Sequence, residues 1–356
     1  MTQTSHIVAL CRYDTLGASS RVRMWQFVPH LARQGVQVRV LPLLSNAYVE
    51  SLYRGKCPDV FDVARSYGRR MVNLLQVEKD AVLWVEKELL PWMPFLLEQP
   101  FLRRHRLVVD CDDAVWLRYR DHRNPLWRAL LRRKIDQVFA RADVVTAGNR
   151  WIADHARAAG AREVRILPSV VDLDRYSARK PGDANTPCRI GWIGSPATVH
   201  YLKALGPVLR ELAARRPLQL ICIGGGPLQL DGVAVESRPW SESMEAEEIR
   251  RFDIGVMPLS DGDWEKGKCG YKLIQYMACG VPVVGSRVGA NCDIVAEGQD
   301  GLLAGTDAEW RAALEGLMQD ISLCQRLGAA GRRKIEQGYS VPSRLDELAA
   351  VLRAPG

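Results

Sequence analysis

The chain of 356 residues has no long apolar run. Its longest candidate, Leu89–Leu97, is short and broken by Pro91 and Pro94, whereas a membrane span needs about 18 apolar residues in a row. The opening residues MTQTSHIVALCRYD carry no basic leader and no small-residue cleavage site, so a signal peptide is not expected. The nine cysteines include no C-x-x-C pair, are odd in number and partly sit inside apolar runs. A disulfide framework is therefore not expected, and a reducing cytoplasm is. Low-complexity sequence is absent. Acidic residues are in deficit: 41 Asp and Glu against 49 Lys and Arg give a formal charge of +8. That balance favours anionic partners, whether nucleic acid, phosphorylated substrates or acidic lipid headgroups, and composition does not choose among them.

What is present is an ordinary globular composition, 47% hydrophobic and 25% charged, long enough for two domains. Short apolar runs alternate with amphipathic stretches. His6–Leu10, Val36–Leu44, Ala81–Val85, Leu107–Val109 and Val144–Thr146 read as strands, with a helical pattern from Trp25 to Leu31 that stops at Gly35. The rhythm restarts after Ser177–Pro187, a stretch rich in Ser, Pro, Gly, Asp and Asn that reads as an interdomain linker. Arg189–Ile193, Leu218–Ile223, Ile254–Met257 and Val281–Val284 follow as strands. Strands alternating with helices imply βαβ units and parallel sheets, whose ligands sit beyond the carboxyl ends of the strands.

The most distinctive stretch is Gly267–Gly289, GKCGYKLIQYMACGVPVVGSRVG. A loop with Lys268 and Gly270 feeds a helix over Tyr271–Cys279, which Gly280 ends before a buried strand. A glycine loop entering a helix offers free N–H groups and a positive dipole end, and Lys268 and Lys272 add charge, a combination suited to a diphosphate. Gln275 lies about one turn beyond Tyr271 and Lys272, within reach of a sugar hydroxyl. The plainer alternative is a helix–strand unit with solvent-facing lysines.

The run Tyr276–Val284 resembles the signature of glycosyltransferase family 4. Further resemblances lie at Gly17–Arg23, Leu167–Asp172, Gly191–Pro196 and Ile223–Pro227. The resemblance implies an α/β GT-B fold, in which two Rossmann-like domains set their parallel sheets facing across a cleft, and transfer with retention of configuration. It places the acceptor-binding domain at 1–175, a linker at 176–188 and the nucleotide-sugar domain at 189–337. Residues 338–356 would pack back on the first domain. The family usually has two glutamates eight positions apart, and the matching positions here are Gly267 and Gln275. Gln275 can bond a ribose hydroxyl without charge assistance, and Asp263 or Glu265 could supply a carboxylate.

The expected donor ligands are Gly194, Ser195, Thr198, Gly224, Lys268, Gly270, Tyr271, Lys272 and Gln275. Glu86, Lys268 and Lys272 are the expected catalytic groups, with Glu86 able to accept a proton. Gly17, Ser19, Ser20, Arg21, Arg23, Glu88 and Asp112 are expected on the acceptor side, the two arginines either contacting a phosphate or starting a solvated helix. Glu86-Lys87-Glu88 reads equally as a surface charge cluster. Asp110-Cys111-Asp112-Asp113 has the look of a metal motif, but this fold handles the diphosphate without one, so no metal and no cofactor are expected and the nucleotide sugar is a substrate. Trp116–Arg141 interleaves arginines with Trp116, Tyr119 and Trp127, which suits an anionic lipid surface; the alternative is a solvated helix with Leu126, Leu130 and Leu131 on the core.

The expected function is sugar transfer from a nucleotide donor to a glycan, a lipid-linked carrier or another hydroxyl acceptor, as in cell-envelope polysaccharide synthesis. The enzyme is expected in the cytoplasm or peripherally on the inner membrane face, with nucleic acid not a partner. A sugar-nucleotide epimerase of the same fold and a non-catalytic glycan- or lipid-binding protein are the rivals, and turnover of donor separates them.

Overall fold

The structure is a computed structural model that describes residues 6–179 and 186–353. Residues 180–185 of the expected linker, the first five residues and the last three of the final segment lie outside the described residues. The chain divides into two compact units. The first holds the described residues up to Ser169, together with Gly267–Cys269 and the residues from Arg344 onward. The second holds Val170–Lys266 and Gly270–Ser343.

In the first unit six strands form one parallel sheet: β1 (Ile7–Leu10), β2 (Val38–Val40), β3 (Val82–Glu86), β4 (Arg106–Cys111), β5 (Val144–Ala147) and β6 (Val164–Ile166). Their spatial order is β2-β1-β3-β4-β5-β6. Ile7 pairs with both Val38 and Val82, and Val82 with Arg106. The central strands β1, β3 and β5 are buried throughout, as continuous apolar runs must be when helices cover both faces of a sheet. The strand expected over 36–44 forms a regular ladder with β1 at 38–40 and continues more loosely beyond it, where Leu41 N donates to the Ala9 carbonyl, Leu43 N to the Cys11 carbonyl and Leu44 N to the Arg12 carbonyl. Within this unit the final helix is held by Gln34 Nε2, which donates to Asp346 Oδ1 at 2.7 Å, and by Arg106, which donates to the Val351 carbonyl at 3.2 Å.

The second unit has the strands β7 (Cys188–Ile193), β8 (Leu218–Ile223), β9 (Ala234–Arg238), β10 (Ile254–Met257), β11 (Val283–Ser286) and β12 (Leu302–Ala304). They lie in the order β12-β11-β10-β7-β8-β9, again all parallel. Trp192, Leu202, Leu209, Leu220, Val256 and Leu314 pack one buried cluster; Ile221, Phe252, Leu273, Tyr276 and Val283 anchor another. The helix Tyr271–Ala278 starts from Gly270, which has φ +62, a left-handed conformation that favours glycine; a Cβ there would also press on Ile294 Cδ1 at 2.2 Å. Among the described residues no helix is long and apolar enough to cross a membrane.

Candidate active site

Each sheet reverses its strand order at one point, between β1 and β3 in the first unit and between β7 and β10 in the second. Beyond the carboxyl ends of the strands at such a point the chain leaves a crevice. The candidate groups are found there, in each unit separately.

In the first unit, Glu86 closes β3 with its side chain buried. Its carboxylate accepts from Arg12 N at 2.7 Å, Ser19 Oγ at 2.9 Å and Ser20 Oγ at 2.5 Å. Lys87 follows with φ +64, a left-handed conformation costly for a residue with a side chain. Two contacts hold it there. Its N–H donates to the Asp110 carbonyl at 2.7 Å, and Nζ lies 2.7 Å from Asp112 Oδ1 and 3.7 Å from Asp113 Oδ2. Nζ also donates to Ser19 Oγ at 2.9 Å, and Ser19 Oγ in turn lies 2.7 Å from Asp112 Oδ2. Burial works against the Lys87 charge, but Asp112, Asp113 and Glu86 outweigh it and hold the ammonium above its ordinary value. Burial likewise opposes the Asp112 charge, yet Lys87 and Arg23 hold that carboxylate below its ordinary value. Asp113 is held above its own by burial and by Asp112. Two adjacent carboxylates are thus pushed apart in acidity, and Asp113 is the more exposed, at 26%.

Several expected roles are corrected by this geometry. Arg23 is buried and grips Asp110 with two hydrogen bonds, Nε to Oδ2 at 2.8 Å and Nη2 to Oδ1 at 2.7 Å, so it offers no charge to a phosphate. Arg21 is also buried, and its Nη1 donates to the Thr15 carbonyl. Gly17 is buried against the Tyr13 ring, and Ser20 is spent on Glu86. Glu86 itself is buried and accepts from Arg12 N, Ser19 Oγ and Ser20 Oγ, so it is turned to the protein interior and not to an acceptor hydroxyl. Glu88 points into the unit, where it accepts from Tyr119 Oη at 2.8 Å and pairs with Lys134 at 2.7 Å; it is not an acceptor ligand. Of the expected acceptor set, Ser19 and Asp112 remain partly exposed.

Three residues after the Lys266 position group with this first unit. Asn149 caps the helix Arg150–Ala158 through its side-chain oxygen and donates from Nδ2 to the Lys268 carbonyl at 2.9 Å. Cys269 Sγ lies 3.1 Å from the Asp112 carbonyl and fills the space beside Gly148. Lys268 is half-buried and acts electrostatically on Asp113.

In the second unit, the loops after β7 and β8 touch backbone to backbone. Gly194 N donates to the Ile223 carbonyl at 2.9 Å, and a Cβ on Gly224, whose φ is +76, would lie 2.4 Å from Gly194 O. Ser195 and Thr198 close a turn on each other, Ser195 N to Thr198 Oγ1 at 3.2 Å. Lys272 Nζ sits 4.5 Å above the buried Trp192 ring, a cation–π contact that fixes the ammonium beside these loops. Tyr271 is half-buried next to it. Gln275 is not at that surface. One turn further along the helix it is buried, and it donates from Nε2 to Tyr176 Oη at 2.9 Å; Tyr176 donates to Glu245, which also accepts from Trp240 Nε1 at 2.5 Å. The expected ribose contact is therefore corrected: the amide belongs to a closed internal network. Glu265, offered as a substitute carboxylate, accepts from Tyr201 Oη.

Sequence reasoning passed over Lys87 and Asp113. The signal was there, since a lysine between two glutamates directly after a strand stands opposite two aspartates directly after the next, and parallel pairing sets Glu86 beside Asp110.

Comparison with known proteins adds the following. The model of the family described as Glycosyl transferases group 1 matches residues 188–320. A D-inositol 3-phosphate glycosyltransferase of Geodermatophilus obscurus is 28% identical over 256 residues, 62% of this chain and 54% of that protein. A GDP-mannose-dependent alpha-(1-6)-phosphatidylinositol monomannoside mannosyltransferase of Mycolicibacterium smegmatis is 28% identical over 255 residues, 64% of this chain and 65% of the relative. The chain thus spans between about half and two thirds of the length of these curated relatives. Among solved structures, sucrose-phosphate synthase from Thermosynechococcus elongatus superposes with a TM-score of 0.72 at 15% identity, over 97% of this chain and 98% of that one. The fold is of the α/β, GT-B type expected from the sequence, with a six-stranded parallel, Rossmann-like sheet in each unit.

Proposed function

We propose that this chain is a glycosyltransferase of the retaining, family-4 type that moves a sugar from a nucleotide donor to a hydroxyl acceptor. The observation that carries the reading is the pinch between Gly194 and Gly224 beside the fixed Lys272 ammonium, inside the stretch matched by the glycosyltransferase model. The two loops touch backbone to backbone, and the cation held beside them by Trp192 stabilises the charge that develops on a diphosphate as the sugar leaves. Ser195 and Thr198 border the same loops. The name of the Mycolicibacterium smegmatis relative gives a nucleotide-sugar donor, GDP-mannose, and both names give inositol-type acceptors; we take the donor class from the former.

On the acceptor side the geometry favours a hydroxyl over a phosphate. The arginines of the Gly17–Arg23 loop face inward, and the groups left at the surface are Ser19, Asp112 and Asp113, which accept hydrogen bonds. A hydroxyl bonded to Asp113 or Asp112 is oriented for attack, and the raised pKa of Asp113 suits it to share the proton that the hydroxyl sheds. No cofactor enters this reaction, since the nucleotide sugar is a substrate.

We place the enzyme at the inner face of an anionic membrane. On the helix Pro125–Leu131 only Leu131 faces the core; Leu126 is 78% and Leu130 57% exposed, beside Arg128. Those leucines were the basis of the solvated-helix alternative, and their exposure favours docking.

Incubating the purified protein with a panel of sugar nucleotides and measuring release of nucleoside diphosphate tests the central reading. Turnover of at least one donor is expected. Lys272→Ala should weaken binding of that donor by about 1–3 kcal/mol, the value of a charge-assisted contact. Binding without turnover of any donor would leave a non-catalytic glycan- or lipid-binding protein.

A further inference from the structure

The end of the first sheet away from Glu86 and Asp112 carries a different chemistry. Before β4 the chain reads Arg103-Arg104-His105-Arg106, before β5 it places Arg141 and Asp143, and before β6 it places Arg162. These seven residues line an open groove of about 560 Å³. Five guanidinium groups thus meet a single carboxylate. That carboxylate is already used: Asp143 accepts from Leu107 N at 2.8 Å and pairs with Arg141 at 3.4 Å and Arg162 at 3.2 Å. Arg141 also donates to the His105 carbonyl at 2.9 Å, and Arg106 to the Val351 carbonyl.

Arg103 and Arg104 are exposed, and their side chains have no partner among the described residues. One nitrogen in the groove wall, Arg106 Nε, is a buried donor without a hydrogen-bond partner. A buried donor left unmade is costly, and close guanidinium groups repel one another. Burial first, then Arg104 and Arg141, hold the His105 pKa below its ordinary value, so the ring adds no cation to the groove. One anion with several oxygens would relieve both conditions, and a phosphate matches the forked donors of arginine.

We propose that this groove binds the phosphate of an anionic lipid headgroup. The choice of a lipid over a free phosphate rests on the helix Phe95–Leu102, which runs directly into Arg103. It exposes Leu96 at 73% and Leu97 at 50%, about 10 Å along the helix axis from the arginines. Apolar side chains beside unneutralised arginines fit a surface where acyl chains and headgroup phosphates lie side by side. The inference rests on the membrane part of the proposed function and is independent of sugar transfer. It also sets the phosphate contact on a different element from the helix Pro125–Leu131.

The test uses the full chain and sedimentation with two kinds of vesicle: phosphatidylcholine alone, and equal parts of phosphatidylcholine and phosphatidic acid. The wild type is expected to sediment with the second kind only, less so at high salt. Arg103→Gln with Arg104→Gln should weaken that binding about thirtyfold, from the loss of two cations at an anionic surface, with thermal melting and donor turnover unchanged. Leu96→Gln with Leu97→Gln should weaken it as well. Vesicle binding that survives the arginine changes but is lost in Arg128→Gln with Arg132→Gln would overturn the assignment and move the contact to the neighbouring helix. Binding of glycerol 1-phosphate without binding of vesicles would overturn the lipid as the source. Loss of donor turnover in every protein, wild type included, would strike the transferase reading and leave this one standing.

Discussion

Replacing Gln275 by glutamate sets a second carboxylate against the buried Tyr176 hydroxyl. In the native network the amide donates to Tyr176 Oη at 2.9 Å and Tyr176 passes its single proton to Glu245. A carboxylate at 275 has no proton to donate, so the hydroxyl faces two acceptors with one hydrogen. Both acidic groups would lie within hydrogen-bond range of one oxygen, roughly 5 Å from each other. At an effective dielectric of about 20 two such charges repel by about 3 kcal/mol, to which the lost hydrogen bond adds about 1 kcal/mol. Gln275→Glu is therefore expected to destabilise the protein by about 3–4 kcal/mol near neutral pH. The repulsion raises the folded-state pKa of the new carboxyl above its unfolded value. The penalty is accordingly absent at low pH, where both states are protonated, and grows as pH rises through the folded-state value. Gln275→Met, which removes the donor without adding charge, should cost about 1–2 kcal/mol and show no such slope. Urea denaturation of the three proteins at pH 4.5 and pH 8 reads this directly. An unchanged midpoint for Gln275→Glu at pH 8, together with tighter donor binding, would refute the network and restore the ribose contact implied by the family resemblance.

Glu98 gives a second pH effect. Burial pushes its carboxyl up to about 7, against the pull of Lys134 at 2.9 Å. A raised folded-state value means stability that is complete below the ordinary range and declines as pH rises through about 7, so Glu98→Gln should gain on the wild type by up to about 3 kcal/mol between pH 4.5 and 8, measured as the difference in urea midpoints. Arg23→Met leaves Asp110 buried without its cation and should cost about 3–5 kcal/mol, part of it recovered in the double variant with Asp110→Asn. Gly224→Ala must adopt φ +76 and place a methyl 2.4 Å from Gly194 O, so the two loops are forced apart; donor binding should be lost while the melting temperature falls by only a few degrees, measured by titration of the donor found by the panel.

The sheets were legible because their inner strands are buried on both faces and read as plain apolar runs. Leu218–Ile223 and Ile254–Met257 are observed with the boundaries expected for them. The strands β6, β9 and β12 were not foreseen. Val164–Ile166 and Ala234–Arg238 lie at sheet edges, carry charged or exposed residues and number five at most, so neither periodicity nor apolarity marks them. The site was legible by position but not by direction. Residues directly after a strand are bound to lie near the crevice, yet whether Glu88 turns inward depends on Lys134, 46 positions away, and whether Gln275 turns inward depends on Tyr176. Such partners are set by tertiary packing and leave no local pattern.

The same dependence on distant partners explains the charge at the acceptor-side crevice. Glu86, Asp110, Asp112 and Asp113 lie at the ends of adjoining strands, where four like charges in close quarters would not survive unbalanced. Arg23 pairs with Asp110, leaving three carboxylates around the buried ammonium of Lys87, with Lys268 also acting on Asp113. Ser19 stands between Glu86 and Asp112 with one proton for two acceptors, at 2.9 and 2.7 Å. The crevice is therefore short of donors rather than of acceptors. A ligand that brings hydroxyl hydrogens supplies what is missing, whereas one that brings phosphate oxygens adds to the excess. On this ground the chain's net charge of +8 is misleading about the acceptor, since that positive charge lies elsewhere, in part at Arg103 and Arg104 at the other end of the same sheet.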